Sequence, residues 1–178
     1  MLKVYLAGPD VFRKDAVEHA QWKKDICKHY HLIGLAPLDN DVSFEDKTKE
    51  EVSEEIFLKN LSLMTAADVG IFNLSAFRGF ECDSGTVFEL GYMWAKGKPC
   101  VAYIGDYPCS YKDRMQGLTH VENGVMRDYN DCSVEDFGGQ LNLMLQNSLN
   151  GIFKTFEECC EFVEERYGKQ TIYSNHRH

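Results

Sequence analysis

Short apolar runs and helix-spaced segments alternate along almost the whole chain, and that alternation limits its possible folds more than any other feature. "LKVYLAG", "HLIGLAPL", "DVGIFNLS", "KPCVAYIG" and "GIFKT" read as five strands. "DVGIFNLS" is a continuous apolar run, the type buried on both faces of a parallel sheet. "DAVEHAQWKKDICKHY", "EEIFLKNLSLMTAA", "GTVFELGYMWAKG", "GGQLNLMLQNSLN" and "FEECCEFVEERYG" read as helices between and after them. Such alternation argues for a parallel sheet covered by helices on both faces. Right-handed crossovers then leave an α/β, Rossmann-like or flavodoxin-like three-layer sandwich with a central five-stranded parallel sheet. "DVSFEDKTKEEVSEE" reads as a polar loop, and residues 106–137 as a long loop with one helical turn.

The 178 residues are 44% hydrophobic, enough for one core. A single domain over 1–167 is expected, followed by a polar tail over 168–178. No apolar run reaches the roughly 18 residues that a membrane helix needs, so no membrane association is expected. "MLKVYLAGPDVF" lacks a basic start and a small-residue cleavage site, so it reads as a first strand and not as a signal peptide. The net charge of −9 would repel a nucleic acid polymer. The seven cysteines are odd in number and form no CxxC pair, which argues against a disulfide framework or a zinc site. Reduced thiols in a cytoplasmic protein are the default. The six histidines have no metal-ligand spacing, and no metal or cofactor is expected.

Sheets of this kind place ligands beyond the carboxyl ends of their strands. Here those segments are "AGPDVF", "PLDND", "NLSAFRGFECDSG" and the long loop. Thr86-x-x-Glu89 has the spacing of a capping box and on its own is most simply a helix start. The same Glu89 in a first helical turn would stay ionised beside the helix dipole and could attack an electrophilic sugar carbon. Asp83 precedes the helix and can face the same pocket, while Gly85 lets backbone approach a ligand. Tyr5, at the end of strand one, is either a core aromatic or a hydrogen-bond donor to a carboxylate. Phe12 is either cover for the core or a stacking surface for a flat ring. Asp39 and Asp41 have ordinary turn chemistry, and Asn60 and Asn142 sit beside apolar stripes as possible hydrogen-bonding groups.

In order and at their separations, "VYLAGPDVF", "PLDN", "KNLSLMTAADVGIFNLSAFRGFECDSGTVFELGY" and "LNLML" resemble the nucleoside 2-deoxyribosyltransferase family. The most specific part is "FRGFECDSGTVFELG", where the family carries RG-x-E-x-D-x-GT-x-FE-x-G. The resemblance implies exchange of a 2-deoxyribosyl group between nucleobases, with 2′-deoxynucleosides and free bases as small-molecule partners. It implies Glu89 as nucleophile, Tyr5 as the residue that positions it and Asp83 as the holder of sugar hydroxyls. It also implies a homo-oligomer with shared sites, in which Asn142, with Met144 close by, comes from a neighbouring subunit. Many members carry an aspartate where this chain has Asn60, and that aspartate is thought to protonate the leaving base. Asp39 and Asp41, at the adjacent strand end, are candidate donors. The alternatives are a hydrolase acting on a deoxynucleoside or deoxynucleotide, and a catalytically silent nucleotide-binding module.

Overall fold

The computed structural model describes residues 1–115 and 117–168. Most of the expected polar tail therefore lies outside the described residues. β1 (Lys3–Ala7) runs through a 3-10 turn (Pro9–Phe12) into α1 (Ala16–His29), then β2 (Ile33–Leu35) and a second 3-10 turn (Pro37–Asp39). α2 (Lys49–Ala66), β3 (Val69–Asn73), α3 (Ser84–Ala95) and β4 (Cys100–Tyr103) follow. Next come α4 (Tyr111–Arg114), a hairpin of β5 (His120–Glu122) and β6 (Val125–Arg127), α5 (Leu143–Ser148), β7 (Gly151–Phe153) and α6 (Phe156–Val163).

The central sheet has the order β2-β1-β3-β4-β7, and every pairing in it is parallel. This is the flavodoxin-like arrangement, with a change of winding direction beside β1. Side-chain alternation divides the core into two layers. Val4, Leu6, Val69, Ile71 and Val101 pack with Cys27 of α1 and Phe156, Cys159, Cys160 and Val163 of α6. Tyr5, Ala7, Phe72, Cys100 and Ala102 face Met64 of α2 and Leu90 and Met93 of α3. The second layer matters for function, because it sets Tyr5 against α3. Among the described residues, no helix is long and apolar enough to cross a membrane.

Two segments read as loop are more ordered than expected. α2 already begins at Lys49, because Thr48 and Glu51 close a capping box. The segment after β4 contains the β5–β6 hairpin. Its turn is Asn123-Gly124, both at positive φ (50° and 80°), as a tight two-residue hairpin loop requires.

Candidate active site

The carboxyl ends of β1 and β3 open into a cavity of about 510 Å³, a size suited to a small ligand. Gly8, Val11 and Phe12 line it from the turn after β1. Leu38, Asn40, Val42 and Phe44 line it from the segment after β2, and Ile56 and Asn60 from α2. Asp83, Gly85, Thr86 and Glu89 complete it from the start of α3. Most of the lining is apolar, and the polar groups fall into two sets.

The first set is built on Tyr5 and Glu89. Tyr5 is fully buried on β1, and its hydroxyl donates to Glu89 Oε1 at 2.6 Å across a sequence separation of 84 residues. Burial, reinforced by the Glu89 charge, pushes the Tyr5 phenol far above its ordinary range. Tyr5 is thus a permanent donor, fixed by the sheet. Burial also pushes the Glu89 carboxyl up to about 7. The Tyr5 hydrogen bond pulls the other way, and the Asp83 charge adds to the rise. Near neutral pH both protonation states of Glu89 are accessible.

This arrangement corrects the expected capping box. Asp83, not Thr86, is the N-cap of α3, and its Oδ2 accepts from the Thr86 amide and the Thr86 hydroxyl, both at 2.9 Å. Glu89 therefore lies in the second turn and reaches Tyr5 instead of the helix start. The expectation that the helix dipole keeps it ionised gives way to burial, which favours the neutral acid. Gly85 is confined: a Cβ there would stand 3.1 Å from Asp83 Oδ2.

The second polar set is an amide pair. Asn40 Nδ2 donates to Asn60 Oδ1 at 2.9 Å, and both residues line the cavity. Asp39 and Asp41, expected as candidate proton donors, do not line it. Asp39 accepts from the Ala36 amide at 2.9 Å and from Lys24, which stabilises the turn after β2. Asp41 is exposed, and its backbone carbonyl accepts from Lys59. The residue between them faces inward. Asn40 stands in the same "PLDND" stretch, but the 3-10 turn at Pro37–Asp39 breaks strand alternation, so sequence parity does not reveal it.

Phe12 lines the cavity, as one of its readings required. Its ring already stacks on Phe77, with centroids 5.6 Å apart, under the guanidinium of Arg78. Asn142 and Met144 do not line this chain's own cavity. Asn142 caps α5, accepting from the Met144 amide at 3.0 Å and donating to Glu135 Oε1 at 2.9 Å. Met144 is exposed.

The family model for nucleoside 2-deoxyribosyltransferases matches residues 4–144. An uncharacterized protein of Schizosaccharomyces pombe is 36% identical over 157 residues, which cover 80% of this chain and 74% of that one. The structure is similar to a 2-desoxiribosyltransferase of Leishmania mexicana, with a TM-score of 0.71 and 28% identity over 94% of this chain and 99% of that one. A 2-deoxyribosyltransferase of Bacillus psychrosaccharolyticus shares the fold, with a TM-score of 0.59 and 19% identity over 96% and 95% of the two chains. The match over residues 4–144 spans β1, the cavity-lining segments and the start of α5, and it makes this chain a glycosyl-transferring enzyme of the nucleoside 2-deoxyribosyltransferase family.

Proposed function

We propose that the protein exchanges the base of a 2′-deoxynucleoside by double displacement, with Glu89 as the nucleophile. The observation that carries this reading is the hydrogen bond from the Tyr5 hydroxyl to Glu89 Oε1, made at the wall of a largely apolar cavity. Tyr5 holds one carboxylate oxygen, which leaves Oε2 free to reach a sugar carbon. In the first step Oε2 bonds to C1′ as the C1′–N bond breaks, and the electron pair leaves with the base nitrogen. In the second step a nitrogen of the incoming base bonds to C1′ and gives up its proton to solvent, and the ester bond to Glu89 breaks, which restores the carboxylate. Two inversions give net retention, as in retaining glycosidases.

The remaining polar groups divide the work. Asp83 Oδ2 is occupied by Thr86, while its other oxygen can accept from a sugar hydroxyl. The Asn40–Asn60 pair offers neutral amide donors and acceptors to a base edge. With Asp39 held by Ala36 and Lys24, the leaving base is stabilised by amide hydrogen bonds and takes its proton from solvent. The apolar lining keeps water away from the glycosyl-enzyme. Asn142 and Met144 act in a neighbour's cavity within a homo-oligomer, and the exchange serves nucleobase salvage.

The test is to incubate the protein with deoxyinosine and free adenine or cytosine and to resolve the products by chromatography. Deoxyadenosine or deoxycytidine is expected. Hypoxanthine without a new nucleoside would make water the acceptor and sink the transfer reading.

A further inference from the structure

Behind the wall formed by the turn after β1 lies a second polar cluster, which the reaction as described does not use. Its hub is Asp10, inside the 3-10 turn Pro9–Phe12. The Asp10 carboxylate accepts from Lys23, from Asn73 Nδ2 at 3.3 Å and from the Tyr103 hydroxyl at 3.5 Å, and it faces His19 Nε2 at 3.4 Å. These partners come from α1, the end of β3 and the end of β4. Lys23 is only 4% exposed and lies over the rings of Tyr103 and Phe156, at 5.3 and 5.2 Å from their centroids. A small void of about 20 Å³ touches Asp10, His19 and Lys23. Gly8, Val11, Pro37 and Leu38 line both this void and the large cavity, so they form a thin partition between them.

A buried ion pair is a poor stabiliser, because desolvation offsets most of its attraction; its best-attested use is to select one arrangement over others. Here the arrangement is that of the partition. Gly8 has φ 154°, and a Cβ on it would stand 2.7 Å from Asn73 Cβ and 2.8 Å from Asp10 Oδ2. The turn is thus pressed against β3 with no slack on that side, while Val11 and Phe12 face the cavity. We propose that Asp10 is a positioning residue for base exchange: tied to Lys23 and Asn73, it sets the Gly8–Phe12 wall against the bound deoxynucleoside. This inference rests on the functional reading given above.

The test compares the wild type with Asp10→Asn/Lys23→Met, which removes both charges together and leaves neither uncompensated. The measurements are the thermal unfolding midpoint, KM and kcat for deoxyinosine with adenine, and the fraction of turnovers that end in hydrolysis. With the wall loosened, KM should rise about tenfold, since small misplacements of a positioning element carry large kinetic costs. The hydrolysed fraction should rise as well, because water gains access to the glycosyl-enzyme. A merely structural pair would move the unfolding midpoint and leave both kinetic readouts unchanged. If the double variant unfolds below the assay temperature, Lys23→Arg keeps the charge and changes the reach and shape of the donor. It should show the same two changes, smaller, and unchanged values in that folded variant would overturn the proposal. Normal wild-type transfer beside an unaffected variant removes the positioning role and leaves the activity standing. A wild type inert toward deoxynucleosides removes the activity, and the positioning role with it.

Discussion

Thr48-x-x-Glu51 and Thr86-x-x-Glu89 share a spacing and do different work. At the start of α2 the Glu51 carboxylate turns back to the Thr48 amide at 2.7 Å, and Thr48 accepts from the Glu51 amide at 3.2 Å. Thr155 and Glu158 repeat that box at α6. At α3 the box does not form, because Asp83 takes the cap and shifts the helix start by three residues. Glu89 is released to Tyr5, inside a cavity. The two carboxyls respond in opposite directions. Hydrogen bonds from Thr48 hold Glu51 below the ordinary range, and burial pushes Glu89 up to about 7. The spacing alone therefore does not separate a cap from a cavity carboxylate; Asp83 does so here by taking the cap itself, whereas Glu45, equally placed before Thr48, leaves the box at α2 intact.

The largest effect that can sharpen this contrast is Glu89→Gln. It keeps the shape and an acceptor for Tyr5 but removes the proposed nucleophile, so base exchange should fall at least about 10³-fold. Transfer assayed by chromatography at saturating deoxynucleoside is the check, and turnover within tenfold of wild type would return Glu89 to a structural role. Next is Tyr5→Phe, expected to lower kcat by about 10- to 10²-fold through loss of carboxylate positioning. It also removes the hydrogen bond that restrains the Glu89 pKa. The acidic limb of kcat/KM, expected near pH 7 in wild type, should therefore move to higher pH. A variant that is slower with an unmoved limb would mean that Tyr5 acts elsewhere.

What the sequence disclosed follows the same division between local and distant causes. The five strands are legible because each centres on a short apolar run, and their parallel arrangement follows from the helical segments between them. The β5–β6 hairpin is not legible, since its short strands carry His120, Glu122 and Arg127 in place of an apolar run, although Asn123-Gly124 marks the turn. Local chemistry makes Tyr5, Glu89, Asp83 and Asn60 candidates, and the resemblance is what attaches roles to them. No local rule joins a strand residue to a helix residue 84 positions away. Asn40 has no acidity to set it apart in the sequence from Asp39 and Asp41, which flank it. The 3-10 turn gives the inward place to the amide and ties Asp39 to the Ala36 amide. Lys23 and Asp10 left no sequence signal: thirteen residues apart, they meet only through the packing of α1 against the sheet.

The next contrast is thermodynamic. Glu89 has a folded pKa raised above its unfolded value, so the folded state binds more protons than the unfolded state between the two values. Its contribution to stability is fully present below about pH 4.5 and is lost as pH rises through about 7. At pH 8 wild type carries a buried charge that Glu89→Gln lacks, and the variant should be more stable by up to about 3 kcal/mol. At pH 5 the difference should largely vanish. Thermal unfolding of both proteins at the two pH values measures it, and a gain that does not depend on pH would show that the buried charge is not its source.

Glu51→Ala is the smallest effect and the mirror image. The folded pKa of Glu51 is depressed, so its contribution is present above the unfolded value and is lost as pH falls through the folded one. Removing it opens the box at α2 and should lower the unfolding midpoint at pH 7 by about 2 to 4 °C. That loss should shrink in acid, where the wild-type carboxylate is itself protonated. Base exchange should be unchanged, because Glu51 is exposed and outside the cavity lining. A fall in transfer without a fall in stability would mean that the α2 start communicates with Asn60, two and a half helical turns further along. The division between capping and chemistry would then fail at this end of the molecule.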